Sequence, residues 1–372
     1  MSPTRESSTP DPVGVEDVTL RRHSLLVLVA SVLVGVGNYG FSLALVWVLA
    51  SGAFAVVGSA NALLVIVGTA GSAVLPWLVA RQVARYPAGS RERQDVVGFS
   101  LAASLVMGAT TAAVVVGIAS TYAPPGVLVG LAVTTIGIFV GSTGIGFLQG
   151  SGRFLLLAGV ALSEVVLKVG LGAGLAAAGF GPTGAVAGSA VGAVLLAVVG
   201  VAVVRGDLAW PHLGITSELW RQVGGIGAIQ IAVSVLSTLD VVVASVVDGS
   251  SRALGSYQAM LVFARAPLFI STAVSTVVFP RLATPGVDRT RVAKSMATLY
   301  LTASCASVAI VSSLPSGLLR LLLPADYAHR AGLLLPLALA GFGAGAVNLL
   351  TTFLQARGDF RPALRVLAIS LP

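Results

Sequence analysis

The chain alternates long apolar runs with short polar breaks. Nowhere do polar and apolar positions trade places with the period of two that strands require. A helix rising 1.5 Å per residue crosses the ~30 Å hydrocarbon layer of a bilayer in ~20 residues. On that rule spans are predicted near 24–50, 54–80, 97–119, 125–149, 154–179, 182–204, 221–247, 253–280, 292–313 and 331–356, and an eleventh begins near Pro362 and is cut off at Pro372. The breaks at Ser51-Gly52, Ala123-Pro124-Pro125-Gly126 and Gly179-Phe180-Gly181-Pro182 are short and uncharged, as tight extracytoplasmic turns would be. Residues 1–20 are rich in Pro, Ser, Asp and Glu and read as a disordered cytoplasmic tail. Arg21-Arg22 imitates the start of a signal peptide, but the apolar run behind it continues to Ala50, beyond the ~7–15 residues of a signal h-region. It is a first spanning helix.

Composition fixes the class. Of 372 residues 56% are hydrophobic and 10% charged, with a mean hydropathy of +0.97, whereas soluble domains are about a quarter charged. The chain is therefore an all-α integral membrane protein. The 44 glycines supply small faces for close helix packing, and the ~10-residue alternating segments of a membrane β-barrel are missing. The net charge of +8 reflects topology and not a nucleic-acid partner. With the N-terminus inside, Arg5, Arg21, Arg22, Arg81, Arg85, Arg91, Arg93, Arg153, Arg205, Arg221, Arg281, Arg289, Arg291, Lys294, Arg357, Arg361 and Arg365 fall on the cytoplasmic side. Only Arg252, Arg320 and Arg330 fall outside, and Lys168 and Arg265 lie within spans. This is the positive-inside pattern of a multi-pass protein of the cytoplasmic membrane.

Two stretches recur. Phe147-Leu148-Gln149 with Gly152 and Phe154 matches Phe353-Leu354-Gln355 with Gly358 and Phe360 at an offset of 206 residues. Ala73-Val74-Leu75-Pro76 answers Thr276-Val277-Val278-Phe279-Pro280 at an offset of 204. The offsets align helices 1–6 with helices 7–12 and predict two pseudo-symmetric six-helix lobes related by an axis along the membrane normal. On this reading residues 1–20 are the tail, 21–206 the N-lobe, 207–220 a cytoplasmic linker and 221–372 a C-lobe holding helices 7–10 and the start of helix 11. The second lobe is then truncated, and the sequence is expected to be a fragment or to lack its last two helices.

Charges at hydrocarbon depth are costly unless they face a partner or a cavity. Asp240 and Arg265 are such groups, and Pro267 just after Arg265 is expected to open the local backbone. Arg265 either pairs with Asp240 to hold helices 7 and 8 together or faces a ligand. Glu164 and Lys168 form a second set, spaced i, i+4 in the favourable order. They read either as a self-neutralising pair or as a cavity site. Cys305 is the only cysteine, and His23, His212 and His329 have no partner at metal spacing, so no metal or disulfide is expected. No phosphate-binding glycine loop, nucleophile elbow or HExxH motif is present, which leaves no enzyme and no cofactor.

Further short motifs run through the chain: Asn38-Tyr39, Phe147-Leu148-Gln149-Gly150 with Arg153-Phe154, Leu239-Asp240-Val241, Gly255-Ser256-Tyr257, Val278-Phe279-Pro280-Arg281-Leu282 and Asp326-Tyr327. In order and spacing they resemble the polysaccharide-translocase branch of the multidrug/oligosaccharidyl-lipid/polysaccharide exporter superfamily. The resemblance implies a flippase that moves polyprenyl-diphosphate-linked oligosaccharide between leaflets by alternating access, through a cavity lined chiefly by helices 1, 2, 7 and 8. It makes Arg265 the candidate diphosphate contact, because a guanidinium fork donates to two oxygens at once. Asp240 becomes its resting counter-ion or a site for a coupling cation, and Lys168 a second phosphate contact beside Glu164. Asn38, Tyr39, Asn61, Tyr257 and Gln258 become sugar-contact candidates, each equally readable as an interhelical hydrogen bond.

Implied partners are the lipid-linked glycan, the bilayer and glycan polymerases or glycosyltransferases, with the protein itself a monomer. Relatives that flip lipid II usually carry an Arg-Asp pair in helix 1, where this chain has Asn38 and Tyr39. The acidic residues that drug exporters commonly place in helix 1 or 2 are also absent. Lipid II transport, cation-coupled multidrug export and a transport-inactive scaffold for glycan synthesis remain the alternatives.

Overall fold

The computed structural model describes residues 12–73, 75–209, 213–283, 288–315 and 331–356, with short pieces at 317–319, 323–324 and 327. Among them every regular element is helical. In chain order these are α1 (Pro12–Val48), α2 (Ser51–Ala73), α3 (Leu75–Arg85), α4 (Arg91–Ala119), α5 (Pro125–Gly150), α6 (Phe154–Leu175), α7 (Gly181–Val204), α8 (Leu213–Asp248), α9 (Arg252–Ala264), α10 (Ala266–Ala283), α11 (Arg289–Ser312) and α12 (Leu334–Ala356).

Eight stretches of the described residues are long and apolar enough to cross a membrane. One of them, 154–207, holds two crossings, because Gly179 (φ 96°) and Gly181 (φ 55°) break it into the antiparallel hairpin α6–α7. Only glycine takes such angles without strain. The bent pair α9–α10 supplies a further crossing. The ten complete spans read from the sequence thus each coincide with a helix or a broken helix. The predicted eleventh lies outside the described residues.

Close approach of backbones sets the packing. Gly130, Gly137, Gly141 and Gly144 of α5 lie against Val186, Ala193, Leu196 and Gly200 of α7, so these two helices run parallel in tight contact. The opposite face of α7 uses Gly184, Gly188 and Gly192 to receive the backbone of α6 at Leu175, Lys168–Gly172 and Glu164. α7 is therefore sandwiched between α5 and α6, and α1 lies along α6. In the second half α10, α11 and α12 pack together and α12 also meets α9. The outward faces are apolar, with Leu155 73% and Val247 81% exposed, as lipid contact requires.

The two halves meet through α2, which touches α8 and α9, and through α1 against α9. They meet along α2, as at Ser234 Oγ, which donates to Val65 O, and also at the end of the bundle that carries the turns 49–51, 120–124, 176–181 and 249–251, hereafter the turn end; the opposite, basic end carries the α3–α4 loop. At the turn end the Tyr327 hydroxyl donates to Leu49 O at 2.8 Å. A side chain on Gly52 would collide with Ser250 O, and one on Gly255 with Ser51 O. A buried apolar cluster drawn from both halves, including Phe41, Leu45, Phe54, Met260, Leu323 and Tyr327, fills the space behind these contacts.

Candidate functional site

Behind that plug lies a cavity of about 450 Å³ at the junction of the two halves, within the range of small-molecule sites. Its wall carries Asn38, Tyr39 and Phe41 of α1, Asn61 of α2, Glu164 and Lys168 of α6, Gln258 of α9 and Arg265 at the end of α9. Asp240 and Tyr257 stand immediately behind Arg265. The structure thus brings all nine candidate residues to one place, seven in the wall and two bonded to it.

Arg265 lies within the predicted span but not in an unbroken helix. It caps α9, with φ −81° and ψ 3°, at a 42° bend between α9 and α10. The cause is Pro267, which has no N–H to donate and whose ring excludes the carbonyl of the preceding turn. The chain recovers when Leu268 N and Phe269 N both donate to Arg265 O, at 3.0 and 3.2 Å. Helix α12 supports the bend, with Gly341 against Ala264 O and Gly345 against Pro267 O.

Side chains of a helix tilt toward its N-terminus. Arg265 therefore reaches from the bend back toward the turn end, while Asp240, on the oppositely directed α8, leans toward the basic end. They meet at 3.3 Å between Arg265 Nη2 and Asp240 Oδ1. The other carboxylate oxygen, Asp240 Oδ2, accepts from the Tyr257 hydroxyl at 2.6 Å. The hairpin turn at Gly249 (φ 65°) places Asp240 and Tyr257 at matching depth on α8 and α9. With side-chain exposures of 22% for Arg265 and 40% for Asp240, this ion pair is only partly buried, and of the two Arg265 lines the cavity.

Lys168 does something the i, i+4 pattern did not show. Its Nζ crosses to α1, donating to Asn38 Oδ1 at 2.8 Å and lying 5.4 Å from the centre of the Phe41 ring. Asn38 is held in turn by donating to Val34 O at 3.0 Å. Gln258 is 4% exposed and donates to Ser59 Oγ at 2.9 Å, which pins α9 to α2. Its role in the wall is thus joined to a helix contact.

Sequence reasoning missed Phe41, Ser59, Thr134 and Ser189, of which all but Ser59 line the cavity. Phe41 alone carried a signal, one turn beyond Asn38. A second arginine–aspartate pair was also missed. Arg93, placed by the sequence among the cytoplasmic-side basic residues, is buried, with Nη2 2.8 Å from Asp207 Oδ2, while Asp207 Oδ1 accepts from Gly89 N at 3.0 Å.

The chain matches the family profile described as "Polysaccharide biosynthesis protein" over residues 84–314. Among curated proteins none matches it. Similar solved structures include the lipid II flippase MurJ in an inward closed conformation, at 11% identity over 93% of this chain and 79% of that one, with a TM-score of 0.73. The MATE multidrug transporter DinF-BH, solved as a complex, is similar at 18% identity over 99% and 88%, with a TM-score of 0.59. An inward-facing MATE transporter of the MOP superfamily gives 16% identity over 89% and 91%, with a TM-score of 0.57. At these identities the likeness is one of fold.

Proposed function

The chain belongs to the polysaccharide biosynthesis protein family, and we propose that within it this chain is a flippase carrying a polyprenyl-diphosphate-linked oligosaccharide from the inner to the outer leaflet of the cytoplasmic membrane. One observation carries the reading. Two cations from different halves of the bundle, Lys168 of α6 and Arg265 of the α9–α10 bend, face a single cavity in the membrane, where Arg265 holds a partly exposed pair with Asp240 and Lys168 donates to Asn38. A diphosphate offers each of them oxygens to bind, and a charge-assisted contact is worth about 1.5–3 kcal/mol.

The cavity is plugged at the turn end, so the headgroup arrives from the basic end, on the side of the N-terminus. Arg265 exchanges Asp240 for a phosphate, and Lys168 takes the neighbouring group. Asn38, Tyr39 and Asn61 offer amide and aromatic surfaces to the first sugars. The halves then rock about the cavity and open the turn end. A specific observation also supports cation-coupled export of amphipathic cations as a second reading, since the Glu164 carboxylate lines the cavity and that of Asp240 is bonded to Arg265 in its wall.

The test is transport of a lipid-linked oligosaccharide into the outer leaflet of proteoliposomes. Arg265→Ala is expected to slow it ten- to hundredfold with an unchanged melting profile. A normal rate in that variant removes Arg265 from the mechanism, and efflux of a cationic dye with no glycan transport selects the second reading.

A further inference from the structure

Tyr257 was a sugar-contact candidate by type and position, yet it does not line the cavity. Its hydroxyl is spent on Asp240 Oδ2 at 2.6 Å, while Asp240 Oδ1 holds Arg265 at 3.3 Å. We propose that Tyr257 is a positioning residue that fixes the Asp240 carboxylate on Arg265 as a stand-in for the substrate phosphate, so that the tyrosine hydroxyl lowers the affinity of the empty site for anions. This rests on the reading of Arg265 as the diphosphate contact.

Three features of the geometry support it. First, the Asp240 carboxylate presents one oxygen to each neighbour, as a bridging phosphate would. Loss of the hydroxyl therefore frees the carboxylate to turn from the guanidinium. Second, the pair is exchangeable. Asp240 is 40% exposed and Arg265 22%, whereas the buried pair Arg93–Asp207 shows 11% and 8%. Exposed pairs are weak and yield to a competing ion, while buried ones do not. Third, the latch holds Arg265 turned toward the plugged turn end, away from the side where the ligand arrives. A doubly charged phosphate can outcompete the single carboxylate for the guanidinium; a neutral or singly charged headgroup has no such advantage. The device thus selects for charge as well as size.

The sign of the predicted effect separates this role from the alternatives. The full chain in detergent is titrated calorimetrically with farnesyl diphosphate, a short polyprenyl diphosphate without sugar. Tyr257→Phe, which keeps the ring, is expected to tighten binding three- to tenfold, and Asp240→Asn by at least as much. The double variant should bind no tighter than Asp240→Asn, because the hydroxyl acts only through the carboxylate. Weaker binding by Tyr257→Phe would overturn the proposal, making the tyrosine a ligand contact. Unchanged binding would overturn it as well, leaving a purely structural hydrogen bond. If Tyr257→Phe lowers the melting temperature too far to titrate, Asp240→Asn alone decides, since failure to tighten also rejects the latch. Arg265→Ala serves as the control for the underlying reading. Wild-type affinity there rejects the diphosphate site itself, while loss of binding there with no tightening in Tyr257→Phe rejects only the latch.

Discussion

Two arginine–aspartate pairs show how surroundings decide what a pair can do. Asp207 receives Arg93 and the Gly89 N–H in a pocket closed over by Phe147, whose ring lies 4.8 Å from the guanidinium. Asp207→Asn leaves a buried guanidinium without its charge partner, which costs about 3–5 kcal/mol. Asp240→Asn affects an exposed pair worth about 1 kcal/mol or less. Thermal unfolding in detergent should therefore show a large drop in melting temperature for Asp207→Asn and a small one for Asp240→Asn. The opposite order would mean that the two pairs have been assigned the wrong roles. The sequence pointed to Asp240 and Arg265 because charges stand out in apolar text. It hid Asp207 because a carboxylate in a loop is unremarked, and it hid the Lys168–Asn38 bond because spacing along one helix cannot show which helix lies across from it.

Among the elements, the motif Phe147-Leu148-Gln149-Gly150 turns out to be packing. Gly146 and Gly150 let α5 lie directly on α3, at Pro76 and at Ala80, and Gly152, at φ 69°, turns the chain out of α5. Helix α3 buries Leu75, Leu78, Val79 and Val83 on that side and shows Trp77 and Arg81 to the outside, the guanidinium 5.6 Å from the indole. Gly150→Leu pushes a side chain into the backbone of Ala80. Such overpacking costs about 1–3 kcal/mol. The expected result is a lower melting temperature, with transport lost in proportion to folded protein and ligand affinity per folded molecule unchanged. A selective loss of affinity would instead tie this seam to the cavity. Helix existence and the hairpin at Gly179–Gly181 were legible from apolar length and glycine placement. The break at Arg265 was marked only by the nearby Pro267, and run length alone reads through it.

At the scale of the whole molecule, the seal at the turn end is made of few strong contacts. Among the described residues it includes one hydroxyl-to-carbonyl bond from Tyr327, one amide-to-hydroxyl bond from Gln258, and glycine-to-backbone approaches at positions 52 and 255 around the apolar cluster. Such a surface can part and re-form without leaving charges stranded, since none of these bonds carries an ion pair. The proposed alternating-access transport requires it to part. Ala53 and Ser250 face the same open depression at the turn end, one from each half, and Cys305 is the only native thiol. In a Cys305→Ser background, Ala53→Cys with Ser250→Cys and a short reducible cross-linker should therefore stop glycan transport. Reduction should restore it, and binding of farnesyl diphosphate from the basic end should persist in the cross-linked state. Undiminished transport with the cross-link complete would show that the halves do not separate here, and the release path would then have to be sought elsewhere around the cavity.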